Sequence, residues 1–391
     1  MRLARAFVIC VFLMALAHLA VAQQPASPPA QPKPLVTAPQ APPDSLPARE
    51  FARIIREFSE EGGNFFSDNL LSNETAYLHI VDKLKQSTSS GGAYIGVGPE
   101  QNFTYIAKVR PRIAFIIDIR HMAAIQQLMY KAIFHLSADR VEFLSRLLSK
   151  PPPKGKLAEA GASFNELLAY FAEAPADEEL FKVNLTEFSR MIQKDFEYTL
   201  ATGELQELTY ILRSFKDEGL SMTYHWSGGY MPGYFPTLKE VLSETDLTGK
   251  QGNFLASADE YRFVREMQLK NLIIPVTGDF AGPRALPAIA DFLRKYSLTV
   301  SAFYASNVEQ YLFDNQVFDD FANNVKKLPV NDQSVFIRSV LSRFGHPAMS
   351  PGHQFAILLQ RIPVFIKEFD AGRYRQYQTL INSNYIAPGQ R

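Results

Sequence analysis

Cysteine is almost missing from this chain: of 391 residues, one is a cysteine. That residue, Cys10, lies in an apolar N-terminal run. The rest of the chain therefore has no disulfides, thiolate metal sites or cysteine nucleophiles. An excess of either charge is missing too, with 40 Lys and Arg against 40 Asp and Glu. This leaves no basic stripe for nucleic acid and no polybasic patch for a membrane surface. No segment beyond residue 22 is apolar for the roughly 20 residues that a membrane-crossing helix needs. There is no G-x-S-x-G elbow, no P-loop, and no H-E-x-x-H or other metal-type histidine spacing, so no metal is predicted.

What the chain does have begins at its N-terminus. Arg2 and Arg5 precede an apolar run over 6–20, and Ala20-Val21-Ala22 is a small-x-small cleavage site. Residues 1–22 read as a signal peptide, so the protein is expected to be exported, to the periplasm or beyond. Residues 23–48 are mostly Pro, Ala and Gln and read as an extended, disordered tether. Residues 49–391 then form one globular domain.

The domain shows a strand–helix rhythm. Phe51, Ile54, Ile55 and Phe58 share a helical face, and Ser72 reads as the N-cap of a helix reaching Lys85. The stretch 93–97 is a short apolar strand, and Gly98-Pro99 turns it into a helix. Residues 113–117 are continuously apolar, as in a parallel strand buried on both faces, and end in Asp118. Strong helical spacing follows to Leu136, and another helix runs over about 138–149. The middle of the chain, about 154–269, is largely helical. Strands return at 272–277 and 298–304, with a late strand at 334–341. The tail from His353 reads as largely helical. Pro275 is a misfit in a presumed central strand and implies a bulge or a misplaced strand. The expected fold class is α/β: a Rossmann-like, mostly parallel sheet flanked by helices, with a largely helical insertion at about 154–269.

In such sheets, ligands bind beyond the carboxyl ends of the strands. Four strand ends supply polar groups: Gly96-Val97-Gly98, Asp118, Gly278-Asp279 and Ser306-Asn307. Gly98 and Asp118 are separated by the spacing of a glycine turn and the acid that grips a ribose diol. Glu100 stands at the helix N-terminus, where it would repel a dinucleotide's pyrophosphate but accept a cationic ligand. The candidate cofactor-binding residues are therefore Gly96, Gly98, Glu100, Asp118, Asp279 and Asn307, around a small-molecule ligand. No catalytic residue is assigned.

The residues Gly91-Gly92-Ala93-Tyr94-Ile95-Gly96-Val97-Gly98-Pro99-Glu100, followed by Ile116-Ile117-Asp118-Ile119-Arg120, resemble the first two strand ends of class I S-adenosylmethionine-dependent methyltransferases. More closely, together with 136–144 and 306–312, they resemble an uncharacterised family of exported bacterial proteins with a methyltransferase-like domain. The resemblance implies that Gly96 and Gly98 line the methionine side of S-adenosylmethionine and that Asp118 holds its ribose. The sequence departs from the methyltransferase pattern at Tyr94, where an acid is usual, and at Glu100, where a third glycine is usual.

Further candidates lie outside this core. The aromatic loop 224–236 contains Tyr224, Trp226 and Tyr230 and reads either as a lid over a base or sugar or as packing. Glu74 reads as favouring a helix N-terminus, with a pocket cation as the alternative. His121 reads as a helix-start residue or a general base. Three functions stay open: a methyltransferase-like enzyme, a non-catalytic exported binding protein that keeps the fold, and, least favoured, an NAD-dependent oxidoreductase.

Overall fold

The protein is described here by a computed structural model covering residues 40–158, 162–224 and 235–389. The predicted signal peptide and most of the predicted tether lie outside the described residues. The last part of that tether does not read as free chain. Gln40 donates its N–H to the carbonyl of Lys295 at 3.0 Å, and Leu46 donates to that of Lys270 at 2.9 Å. Leu46 is itself buried. One leucine in a proline-rich stretch is enough to dock 40–47 on the domain, because its apolar surface has a core to enter.

The chain then enters α1 (Ala48–Phe58), whose Phe51, Ala52, Ile54 and Ile55 are buried. The predicted helix over 72–85 is instead a 3₁₀ turn (Thr75–Leu78) and the short α2 (Val81–Ser87). Ser72 does not cap it. Its backbone N–H is taken by the Glu100 carboxylate at 3.1 Å, which ties this segment to the next helix.

Strand β1 (Ala93–Gly96) leads to α3 (Gln101–Val109), then β2 (Ile113–Asp118) and α4 (His121–Leu136). Every residue of β2 is buried, as its unbroken apolar run predicts. Residues 123–134 of α4 are buried on every side, so this helix is a core element rather than an amphipathic cover. The crossover continues through α5 (Arg140–Leu148), α6 (Phe164–Glu173), α7 (Glu178–Lys194), α8 (Thr202–Glu218), α9 (Leu238–Ser243) and α10 (Ala258–Leu269). The rhythm then resumes with β3 (Ile273–Thr277), α11 (Ala285–Lys295), β4 (Val300–Ser306), α12 (Val308–Asp314), α13 (Phe318–Lys327) and β5 (Val335–Leu341).

The tail is not wholly helical. Phe355–Arg361 forms β6, antiparallel to β5, before α14 (Ile362–Asp370) and α15 (Tyr377–Asn382). Only Gln360 and Arg361 separate the apolar run of the strand from that of α14. The junction is marked by Pro363 in the first turn of the helix.

The sheet order is β3-β2-β1-β4-β5-β6, parallel except for β6. This is the Rossmann-like arrangement, and its order reverses between β1 and β4, where a crevice opens. Pro275 needs no bulge, because β3 is an edge strand and its pairing with β2 runs unbroken through Pro275. The carbonyl of Leu272 and the N–H of Gly278 bond to β2. By alternation, Pro275 and Thr277 face outward, and the Thr277 N–H goes to Ser59 Oγ at 3.0 Å. The missing N–H of Pro275 therefore costs no ladder bond. Among the described residues, no helix is long and apolar enough to cross a membrane.

Candidate functional site

A cleft of about 420 Å³ opens at the carboxyl ends of the strands, where the sheet order reverses. Its volume falls within the usual range for small-molecule sites. Gly98, Asp118, Asp279 and Asn307 all line it. The backbone at 98 and the acid at 118 thus meet at one hollow, although they come from different strand ends.

Gly98 occupies the turn out of β1 with φ 82°, a conformation that favours glycine. A side chain there would meet nothing within 4 Å, so this backbone faces open space. The turn is fixed from behind. Asn102 Nδ2 lies 2.9 Å from the Val97 carbonyl and 3.0 Å from that of Gly98, and Gln127 reaches the Gly98 carbonyl at 3.2 Å. Tyr94 in turn donates to Asn102 Oδ1 at 2.9 Å. Position 94 is thus a buried phenol holding the amide that holds the turn.

Two of the predicted residues do not reach the cleft. Gly96 is a packing residue, because a methyl there would overlap Asn102 Oδ1 and the Tyr94 ring. Glu100 is buried beside Ser72 rather than presented to a ligand. Burial pushes its carboxyl up to about 7, although the Ser72 N–H favours the charged form.

Asp118 is in the cleft but already engaged. Its Oδ1 accepts from the backbone N–H and Nε of Arg120, both at 3.0 Å, and its Oδ2 accepts from Nη2 at 2.7 Å. Arg120 also donates to the Asp68 carbonyl. The pair is buried and neutral overall, and only the remaining lone pairs of Asp118 can take a ligand hydroxyl. Asp279 accepts from the Ala281 N–H at 2.9 Å, closing its own turn while lining the cleft.

Glu74 is the main acid of the cleft, and a helix-terminus role does not describe it. Its side chain is buried at the cleft wall, 2 % exposed. Ser306 Oγ donates to Oε1 at 2.5 Å, while Tyr304 Oη at 2.8 Å and Gln101 Nε2 at 3.0 Å donate to Oε2. Burial first, and the Glu74 carboxylate second, hold the phenols of Tyr94, Tyr105 and Tyr304 well above their usual range, so they stay neutral donors. Ser306 is aimed at Glu74 by a local break in β4: its φ is 50°, and the pairing with β5 shifts register between Tyr304 and Ser306.

The partners of Glu74 come from residues 101, 304 and 306, so no local pattern reveals its role. The sequence signals were the placement of Ser306 at a strand end and of Glu74 at a helix start, where a pocket cation was the alternative reading. Arg120, Gln101 and Tyr304 were not foreseen as site residues.

Phe65, Phe66 and Tyr311 form an aromatic wall at the cleft, with the two Phe rings 4.1 Å apart and Tyr311 edge-on to Phe65 at 5.4 Å. Tyr224 also lines the cleft, and burial pushes its phenol up to about 12. The other two predicted lid residues, Trp226 and Tyr230, lie outside the described residues. A side groove of about 760 Å³ shares Phe65, Phe66 and Arg120 with the cleft and continues past His121 and Glu207. His121 sits in this groove, with Nε2 2.6 Å from Glu204 Oε1 and Nδ1 3.1 Å from Thr277 Oγ1.

The family model described as a domain of unknown function (DUF7790) matches residues 70–390, which take in Glu74, Gly98, Asp118, Asp279 and Asn307 but not Phe65 and Phe66. No curated protein matches the chain significantly.

Proposed function

Since the chain belongs to the DUF7790 family, whose function is unknown, we propose its function from the cleft: binding of a positively charged, nucleoside-bearing small molecule of the S-adenosylmethionine type. The observation that carries this reading is Glu74. A carboxylate buried in a ligand-sized cleft is costly unless a positive charge compensates it. The described partners of Glu74 are a hydroxyl, a phenol and an amide, all uncharged. Asp279 adds a second acid to the lining, and Asp118 with Arg120 adds no net charge. Such a cleft favours a sulfonium or ammonium and disfavours the pyrophosphate of NAD. The open backbone at Gly98 and the aromatic wall at Phe65, Phe66 and Tyr311 suit the close approach and stacking of a nucleoside.

A second reading keeps the same ligand class without catalysis, as expected of an exported binding protein. The Asp118–Arg120 pair favours it, because the acid expected to grip a ribose diol already spends three acceptor positions on its neighbour.

The test is calorimetric titration of the full chain with S-adenosylmethionine, S-adenosylhomocysteine and NADH. Saturable binding of the sulfonium compound, tighter than of its uncharged thioether product and weakened by Glu74→Gln, supports the proposal. A folded protein that ignores both adenosyl ligands, or that prefers NADH, overturns it. Methyl transfer to an added acceptor then separates the enzyme from the binding protein.

A further inference from the structure

Away from the cleft, the fold brings together a second group of chemistry-bearing side chains. His79 follows the 3₁₀ turn Thr75–Leu78, Glu244 closes α9, and His353 lies in the connection between β5 and β6. One nitrogen of each histidine and one carboxylate oxygen of Glu244 all lie within 4.8 Å of one another. The two imidazoles meet edge to face, 4.7 Å between centroids. We propose that His79, Glu244 and His353 form a binding site for a divalent transition-metal ion, with zinc as the expected occupant.

The donor set selects the class of ion. Two imidazoles and one carboxylate match the borderline-soft preference of zinc and its neighbours and are wrong for calcium or magnesium, which take oxygen ligands. Bonds of 2.0–2.2 Å to a tetrahedral ion set the donor atoms about 3.4 Å apart, so the trio closes onto an ion by modest side-chain rotation. Three protein ligands leave a fourth position for water.

Groups one step outside the trio orient all three ligands. Thr75 Oγ1 lies 2.8 Å from His353 Nδ1, and Ser350 Oγ lies 3.3 Å from His79 Nδ1. The ion would therefore be taken by Nε2 of each ring, with the hydroxyls fixing ring orientation as outer partners do in metal sites. Thr245 donates its N–H to Glu244 Oε1 at 3.0 Å. His79 is buried, whereas Glu244 and His353 are half-buried, which leaves a route in from solvent.

The site also has structural logic. It would tie three segments that are distant in sequence, in a chain whose described residues contain no cysteine to do so. One of those segments carries Glu74, which immediately precedes Thr75. Sequence spacing could not show the site, because its ligands are more than 100 positions apart.

The proposal is independent of the nucleoside reading and is tested without activity. The full chain, stripped with a chelator and confirmed folded by circular dichroism, is titrated with Zn²⁺ and separately with Co²⁺ as a spectroscopic probe. The expected result is one ion per chain, a raised Tm and a visible Co²⁺ d–d band. Glu244→Gln and His353→Ala, neither at a fully buried position, should each weaken binding at least as much as the roughly 10- to 100-fold lost with an outer partner. A folded wild-type chain that binds neither ion overturns the proposal, as does Zn²⁺ binding that survives either substitution unchanged.

Discussion

Arg120 closes a two-pronged ion pair on Asp118, two positions earlier in the chain, with Nη2 2.7 Å from Oδ2 and Nε 3.0 Å from Oδ1. Both side chains are less than a tenth exposed, so removing one partner strands the other in a poor solvent for charge. Asp118→Ala is expected to cost about 3–5 kcal/mol of stability, and the double variant Asp118→Leu/Arg120→Met to recover most of it. Urea denaturation of the two single variants and the double variant checks this. A loss in the double variant equal to the sum of the two single losses would show that the charges are not coupled. Loss of ligand binding in Asp118→Ala must accordingly be read on samples shown to be folded.

Glu74→Gln separates binding from stability. The substitution keeps the shape of the side chain and removes a buried negative charge, so the ligand-free chain should be at least as stable as the wild type. Affinity for a cationic ligand should fall by about tenfold or more, roughly 1.4 kcal/mol. Thermal melts with and without ligand read both effects. A large loss of stability without ligand would mean that the charge serves the fold rather than the ligand.

Glu100 gives a pH signature. Its carboxyl titrates near 7 in the folded chain against an ordinary value of 4.5, because burial disfavours the charged form. The folded state holds this proton more tightly than the unfolded state. The associated stabilisation is complete below about pH 4.5 and is lost as pH rises through about 7, with an upper bound on the order of 3 kcal/mol. Glu100→Gln should remove that dependence, so its stability relative to the wild type should improve between about pH 5 and pH 8. Parallel urea curves at the two pH values, with an unchanged difference between the proteins, would refute the assignment.

The two glycines at the end of β1, Gly96 within it and Gly98 just beyond, should fail differently. Gly96→Ala pushes a methyl into Asn102 and Tyr94, both fully buried, and overpacking of this kind costs about 1–3 kcal/mol. Gly98→Ala meets no atoms but must hold a positive φ, at a cost of about 1–2 kcal/mol. Gly98→Ala also places its methyl at the cleft. It should weaken ligand binding in proportion greater than its effect on Tm, whereas Gly96→Ala should act mainly through Tm. Paired melting and titration data on both variants decide the matter.

How much of this was legible in the sequence follows from the range of each interaction. The parallel strands announced themselves because a strand buried on both faces must be apolar throughout, as β2 is. The position of the cleft followed from topology. Strand β6 was hidden because only Gln360 and Arg361 separate its apolar run from that of α14, so the tail has no long polar or turn segment to divide it. Pro275 misled because a local pattern cannot tell an edge strand from a central one. Glu74 and its donors were not legible as a unit, since Gln101, Tyr304 and Ser306 reach it only after the crossovers have closed. Asp118 was found, but its arginine clamp was not, because the direction of the Arg120 side chain is set by the surrounding fold.

Both margins of the sheet are interrupted, each by a different device. Along β3, Pro275 presents no outward N–H, while Ser59 Oγ and the Glu60 N–H occupy the outward groups of Thr277. Along β6, Leu359 exchanges two backbone bonds with Ile386, at 3.0 and 2.6 Å. At these positions a passing peptide or a second molecule finds the backbone groups already taken. Strand addition across Thr277 or Leu359 would first have to displace these bonds, which works against polymerisation at those points.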